Sequence, residues 1–226
     1  MTTNSEFQNV LYPFQDEVLR TISSLDTRFY LTGGTAASRG YLHHRYSDDL
    51  DFFVNDDADF TLYADRVLDG IFKNLDVQLE VLNRQARFMR VNVTRNNDLF
   101  LKMEFVNDVP SHIGPITAHE VLGRIDSAEN ILANKGTAVL SREEPKDLAD
   151  IWGFCGQLSL SLENAITGAK SKAAGIFPAD LSRVLLSVTR SDWESIRWID
   201  APDADTYVAE LHELAEKLIF KDPPQK

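Results

Sequence analysis

The chain has 226 residues, of which 43% are hydrophobic, and a formal net charge of −12. This apolar content suffices for a substantial core and argues against intrinsic disorder. The acidic balance argues against broad electrostatic binding to nucleic acid, which needs basic patches, although arginines between Arg84 and Arg95 could form a local one.

Three features bear on the compartment. The single cysteine, Cys155, allows no intramolecular disulfide, which suits a reducing environment. The N-terminal residues lack the basic start and apolar centre of a signal peptide. No apolar run approaches the roughly 20 residues of a membrane span. We therefore expect a cytoplasmic protein that does not interact with membranes.

The first predicted elements surround a pair of glycines. Apolar residues at steps of three and four between residues 5 and 25 predict an amphipathic helix, in which Pro13 ends one segment or begins another. A short strand is predicted at Phe29–Thr32. The pair Gly33-Gly34 follows, then a short helix and a second strand at Leu50–Val54.

Two acidic residues, Asp49 and Asp51, lie at the start of the second strand. Residues two apart in a strand lie on the same face, so both carboxylates are predicted to point the same way. At a separation of about 4 Å and an effective dielectric constant of about 20, they repel each other by roughly 4 kcal/mol. A hard divalent cation removes that cost, and oxygen ligands suit Mg²⁺ or Mn²⁺. The pattern therefore predicts a metal site.

The glycine pair predicts a phosphate site beside it. Gly33 and Gly34 allow a sharp bend and the close approach of N–H groups to an anion, and Thr35 supplies a hydroxyl at the positive end of the following helix. Arg45 could neutralise a phosphate or pair with a carboxylate and brace the loop. His43 and His44 are interpreted as surface residues or as partners of the helix dipole. An ordinary turn and a solvated strand end explain each feature alone, but the combination favours a metal–nucleotide site.

The middle of the chain is predicted to complete a sheet. One helix and three strands are expected, at Asp59–Asn74, Val77–Leu82, Phe88–Thr94 and Leu99–Val106. The Asn96-Asn97-Asp98 cluster predicts a hairpin turn between the last two strands.

The C-terminal half is predicted to be helical. The segment Val109–Pro115 is interpreted as a linker, which divides the chain into domains at 1–110 and 111–226, and the pattern Thr117-Ala118-His119-Glu120 predicts a capping box that opens a helix through Val121 and Leu122. Further helices are expected at Ile125–Leu140, from Pro145, and at Ser161–Lys172, Ala179–Thr189 and Asp203–Phe220.

Two motifs resemble a known family. Gly-Gly-Thr, a spacer and Asp-x-Asp together are similar to the signature of the nucleotidyltransferase superfamily. More narrowly, LTGGTA followed by HHRYSDDLDFFV, with KGTAVLSREEPKDLADI downstream, resembles the AbiEii-type toxins of type IV toxin–antitoxin systems. The resemblance covers about residues 5 to 160. It implies an α+β fold in which helices flank a nucleotidyltransferase-type mixed β-sheet, with a helical C-terminal part.

The resemblance also implies roles for particular residues. Glu104 matches a third carboxylate that binds metal or takes a proton from the acceptor, but many relatives carry Asp there, and an exposed Lys–Glu alternation is the other interpretation. Ser47 would belong to the nucleotide site. Lys135 would hold the triphosphate, and Asp147 would orient that lysine or contact the nucleotide. Asp150 would pair with Arg142.

The expected activity is metal-dependent transfer of a nucleoside monophosphate from an NTP to an acceptor hydroxyl. One or two Mg²⁺ ions would be held by Asp49, Asp51 and Glu104. The resemblance makes an RNA acceptor such as a tRNA end the first expectation, and it implies an antitoxin partner. Two alternatives stay open: a non-catalytic NTP- or partner-binding protein on the same fold, and a small-molecule adenylyltransferase.

Overall fold

A computed structural model describes residues 4–142, 144–168 and 177–219. The strands are β1 (Tyr30–Thr32), β2 (Leu50–Asn55), β3 (Gln78–Gln85), β4 (Phe88–Arg95), β5 (Leu99–Asp108), β6 (Thr117–His119) and β7 (Gly123–Ile125). The α-helices are α1 (Asn4–Glu6), α2 (Tyr12–Ser23), α3 (Gly33–Thr35), α4 (Phe60–Asn74), α5 (Ala128–Arg142), α6 (Pro145–Gly156), α7 (Leu162–Gly168), α8 (Pro178–Leu186), α9 (Arg190–Ser195) and α10 (Ala204–Ile219), and Phe7–Leu11 and Ala36–Leu42 form π-helical turns.

The strands form one sheet in the order β3-β4-β5-β2-β1-β7-β6. The β2–β5 and β1–β7 pairs are parallel, and the other four pairs are antiparallel. The predicted mixed sheet with flanking helices is therefore confirmed. Two of its strands, β6 and β7, come from residues beyond position 110.

One face of the central strands is apolar and the other is charged. In β5, Leu101, Met103 and Phe105 are fully buried, whereas the intervening Lys102 and Glu104 are only half-buried. The same alternation of buried and half-buried residues runs along β2. Period-two alternation on neighbouring strands thus places the core on one side of the sheet and a row of charged side chains on the other.

The predicted helix at Thr117–Glu120 is wrong, because this segment forms the β6–β7 hairpin. His119 Nδ1 accepts the main-chain N–H groups of Val121 and Leu122 and so closes a turn instead of a helix. Pairing of Ile125 with Leu31 in β1 then fixes the second strand in the sheet. Tertiary pairing has overridden a local capping signal.

The helical predictions elsewhere agree with the structure within a few residues. The chain is helical from Asn4 to Ser23, and Pro13 lies in the first turn of α2, where its missing N–H costs least. The π-helical turn before it is defined by the Tyr12 N–H, which donates to the Phe7 carbonyl five residues back. Pro145 begins α6, as predicted.

In the C-terminal part, α7, α8 and α10 correspond to the three predicted helices, and positions 169–172 and 220 of those predictions lie outside the described residues. The short helix α9 was not predicted; Thr189 and Asp192 form a capping box at its start. Within the described ranges, no helix is both long enough and apolar enough to cross a bilayer.

Candidate active site

Strand register brings the predicted carboxylates together. Asp51 of β2 pairs with Glu104 of β5 in a parallel register, and with Thr32 of β1 on its other side. Asp49 directly precedes β2. All three carboxylates line a cavity of about 430 Å³, the size of a small-molecule site. The predicted residues Gly33, Gly34, Ser47 and Lys135 line the same cavity.

Both glycines are required by close contacts. Gly33 has a φ of +66°, and a Cβ there would overlap the carboxylate of Asp51. At Gly34 a Cβ would lie 2.8 Å from Arg45 Nη2 and 3.0 Å from Ser47 Oγ. Neither glycine can be replaced without a clash. Gly33 leaves room for the Asp51 carboxylate, and Gly34 leaves room for the Arg45 and Ser47 side chains.

The negative charge of Asp51 is only partly compensated, since Lys135 and Lys102 lower its pKa from a distance without pairing with it directly. Burial raises its pKa from 3.8 to about 6, with further contributions from Glu104 and Asp49. Within the described part of the chain, no side chain forms an ion pair or a hydrogen bond with Asp51. A half-buried carboxylate without a directly bonded partner, beside other carboxylates and facing a cavity, is suited to a cation that the protein does not itself supply.

The other two carboxylates have cationic partners. Lys102 Nζ lies 2.7 Å from Asp49 Oδ2, and Arg90 Nε donates to Glu104 Oε1 at 2.8 Å. Among the described residues, no three His, Cys, Asp or Glu side chains are arranged to hold a metal ion. The three-carboxylate arrangement expected from the sequence is thus not preassembled, because Glu104 is paired with Arg90 and Asp49 with Lys102. Asp49 and Asp51 still fit Mg²⁺, which proteins commonly bind through one or two carboxylates plus substrate phosphates.

Lys135 of α5 lies on the helical side of the cavity. Its Nζ is 2.6 Å from Asp147 Oδ1 and 2.6 Å from Asp150 Oδ2. Burial alone would lower the pKa of Lys135, but Asp150 and Asp147 outweigh it and raise that pKa, so the ammonium stays charged. Asp147 does not line the cavity but contacts Lys135, which favours the orienting role over direct contact with the nucleotide.

Arg142 pairs with Asp147, with its Nε 2.7 Å from Oδ2, and the predicted Asp150–Arg142 pair is wrong. Asp150 instead accepts two hydrogen bonds from Arg45, from Nε and Nη2 at 2.7 Å each. The positions of the two aspartates on α6 explain their partners. Asp147 is near the start of the helix, beside Arg142, whereas Asp150 faces the buried loop that carries Arg45.

Buried side chains on the side away from the cavity hold the segment before β2 in place. Arg45 is 3% exposed, does not line the cavity and pairs with Asp150, which favours the bracing role over direct contact with phosphate. His44 is also buried, with Nε2 3.0 Å from Asp150 Oδ1, and its interpretation as a surface residue is wrong. Left-handed His43, with a φ of 52°, ends the preceding helical turn.

Thr35 also supports the cavity through buried contacts. It is fully buried and does not line the cavity, unlike the phosphate-binding hydroxyl that the sequence predicts. Its hydroxyl donates to the main-chain carbonyl of Asp49 and lies 3.0 Å from Ser47 Oγ. Thr35 thereby ties the glycine segment to the segment that presents the acidic pair.

Sequence reasoning assigned no role to several residues that line the cavity, and two of these carry polar groups that bear on its chemistry. Asn134 precedes Lys135 on α5, and its buried Nδ2 has no hydrogen-bond partner among the described residues. A buried amide donor on a cavity wall is suited to an acceptor atom of a ligand; nothing in the sequence but its adjacency to Lys135 points to it. Lys102 contacts Asp49, and strand alternation did place it on the face of Glu104, but no role was predicted for it.

Comparison with solved structures supports the fold. MenT4, a nucleotidyltransferase toxin from Mycobacterium tuberculosis, is 15% identical with a TM-score of 0.63, over 96% of this chain and 86% of that one. JHP933 from Helicobacter pylori is 20% identical with a TM-score of 0.60, over 96% of this chain and 93% of its own. At these identities the likeness establishes the nucleotidyltransferase fold alone. A comparison with curated proteins finds no match.

The family is established by a different comparison, with models of whole families. Residues 17–195 match the model described as nucleotidyl transferase AbiEii toxin, type IV TA system. The match spans well over half of the chain and includes both motifs of the cavity, the glycine pair with its Asp-x-Asp strand and the segment that begins at Lys135. The chain therefore belongs to the AbiEii family of nucleotidyltransferase toxins of type IV toxin–antitoxin systems.

Proposed function

We propose that the protein transfers a nucleoside monophosphate from an NTP to an acceptor hydroxyl, with Mg²⁺ or Mn²⁺ as the cofactor. One observation carries the proposal: the unpaired carboxylate of Asp51 and the charged Lys135 line the same cavity beside Gly33 and Gly34. A metal–triphosphate complex is complementary to both, since its cation meets the carboxylates and its phosphates meet the ammonium.

Each residue has a distinct part. Asp49 and Asp51 would hold the divalent ion. When bound, that ion offsets the charge of the triphosphate and stabilises the leaving group. The Gly33 and Gly34 segment lets phosphate approach the main chain, and Lys135 acts as a point charge on the triphosphate. Ser47 also lines the nucleotide cavity.

The acceptor oxygen attacks the α-phosphorus, the bond to the β-phosphate oxygen breaks, and pyrophosphate leaves. Glu104 is the carboxylate that remains to take the proton of the acceptor hydroxyl, because the two aspartates hold the ion. Glu104 lines the cavity and is held in place by Arg90.

The acceptor follows from family membership and not from surface charge. An RNA end, such as that of a tRNA, is the acceptor we propose, and an antitoxin protein is the proposed partner, because the family is a type IV toxin–antitoxin family. The net charge of −12 predicts that RNA contacts are local to the cavity mouth.

The test incubates the protein with each α-labelled NTP, Mg²⁺ and total RNA, and in parallel with small hydroxyl acceptors. Label on RNA supports the proposal. Label on a small acceptor favours the small-molecule adenylyltransferase, and NTP binding without transfer under varied metals and acceptors favours the non-catalytic protein. Full activity in a variant that combines Asp49→Ala with Asp51→Ala would exclude the mechanism.

A further inference from the structure

The charged face of the sheet contains a lysine where a metal ion would otherwise be expected. Lys102 Nζ lies 2.7 Å from Asp49 Oδ2 and 3.8 Å from Glu104 Oε1. Its side chain is 39% exposed, so it lies at the cavity and not in the core. The ammonium therefore contacts two of the three carboxylates that the family resemblance assigns to metal.

Strand register explains why Lys102 reaches these groups. Lys102 and Glu104 are two residues apart on β5 and so share a face, and Glu104 is in register with Asp51 of the neighbouring β2. The residue two positions before Asp51 is Asp49, which therefore comes beside Lys102. The sheet itself places this ammonium between the two strands that carry the acidic groups.

The charges at the site are divided unequally. Asp49 forms an ion pair with Lys102. Glu104 forms one with Arg90 and a longer one with Lys102. Asp51 has no ion-pair partner among the described residues. An ammonium donates to the same carboxylate oxygens that a divalent ion would bind, and it repels any cation between Asp49 and Glu104. The ammonium therefore competes with a divalent ion for the position between Asp49 and Glu104, and it leaves Asp51 as the carboxylate without a directly paired cation.

We propose that Lys102 is a built-in cation that occupies the position of a second metal ion, so that the protein binds one divalent ion at Asp49 and Asp51. This inference rests on the proposed function for the identity of the first ion. Glu104 then lies outside the metal's ligand set and holds Lys102 from the other side. Lys102 thus determines how many divalent ions the site binds.

The experiment counts bound ions without measuring catalysis. Free Mn²⁺ is followed by its electron paramagnetic resonance signal during titration with metal-free protein, with no nucleotide present. We expect one Mn²⁺ per chain in the wild type. In Lys102→Met, which keeps the length of the side chain and removes its charge, we expect two Mn²⁺ per chain.

Two controls separate the local effect from a general change in charge. Lys102→Arg retains a cation and should bind one Mn²⁺. Lys73→Met removes a lysine whose side chain is 72% exposed and which pairs only distantly with Asp69 on α4, 3.9 Å away, so it should also bind one. Circular dichroism of all variants should match the wild type, because Lys102 is not part of the core.

Two Mn²⁺ ions in the wild type, or an unchanged number of ions in Lys102→Met, would overturn the inference, and so would absence of binding in both proteins. Nucleotidyl transfer is scored separately. Transfer by a wild type that binds two ions would retain the proposed function and remove the inference. If the wild type binds one ion, Lys102→Met binds two, and neither transfers a nucleotide to any acceptor, the inference stands and the proposed function is lost.

Discussion

Replacing Asp51 by Asn should stabilise the metal-free protein while abolishing transfer. The wild-type carboxylate is half-buried, without an ion-pair partner among the described residues, and close to the carboxylates of Glu104 and Asp49. Asn is nearly isosteric, so the fit against Gly33 is kept while the repulsion is removed. Active sites commonly store unfavourable charge of this kind, and removing it exchanges activity for stability.

The magnitude follows from the pKa of Asp51, which is raised from 3.8 to about 6. A carboxyl group with a higher pKa in the folded state binds more protons there than in the unfolded chain, so the free energy of unfolding falls as pH rises from about 4 to about 6. The difference corresponds to roughly 3 kcal/mol above that range, an upper limit for the gain in Asp51→Asn. Below about pH 4 both states are protonated, and the gain should disappear.

The assay is urea unfolding of both proteins in EDTA at pH 7.5 and at pH 3.5, with the free energy taken by linear extrapolation. Asp49→Asn is the matched control: it removes an equal charge from a carboxylate that has Lys102 at 2.7 Å, so its stability should change by less than about 1 kcal/mol. An Asp51→Asn protein no more stable than wild type at pH 7.5, or a gain of equal size at both pH values, would refute the reasoning.

Local patterns predicted the strands of the site because each strand is half-buried. In β5, three apolar residues alternate with polar ones, and the same pattern marks β2. Alternation gives the face of Asp49, Asp51 and Glu104 on each strand. It does not give the neighbour of a strand, so the contact between β2 and β5 came only from the family resemblance.

The bracing network behind the cavity could not be predicted residue by residue. Asp150 contacts Arg45 across 105 positions in sequence, and His44 across 106. Each of these residues is polar and, considered alone, resembles a solvated surface group. Their burial is stabilised by one another and by Lys135, so it becomes visible only when α5 and α6 are packed against the loop.

The β6–β7 hairpin is a segment where a local sequence signal predicted the wrong structure. Its sequence contains a helix-opening pattern, but only a few residues separate it from Gly123, which has a φ of +75°. A helix there would be too short to be stable by itself, whereas pairing of Ile125 with Leu31 joins the hairpin to the rest of the sheet. Long-range pairing outweighs a capping signal when the segment is this short.

Three further substitutions probe the helical side and the glycine bend. Lys135→Met should cost about 1.5–3 kcal/mol in urea unfolding, because it removes one of the charged partners of two buried carboxylates, Asp147 and Asp150, which keep Arg142 and Arg45, and a loss under 1 kcal/mol would contradict that pairing. Asn134→Ala should weaken NTP binding by about tenfold in calorimetry, near 1.4 kcal/mol, with unchanged unfolding, because it removes the unpaired donor of the cavity wall; unaltered affinity would count against contact with the ligand. Gly33→Ala should abolish transfer and destabilise the fold by about 1–3 kcal/mol, because alanine is strained at a φ of +66° and its Cβ would overlap the Asp51 carboxylate. Gly156→Ala is its control, since a Cβ at that helix end meets nothing within 4 Å and should leave both properties intact. Equal effects of the two glycine substitutions on transfer would show that the bend is not shaped by the acidic residue beside it.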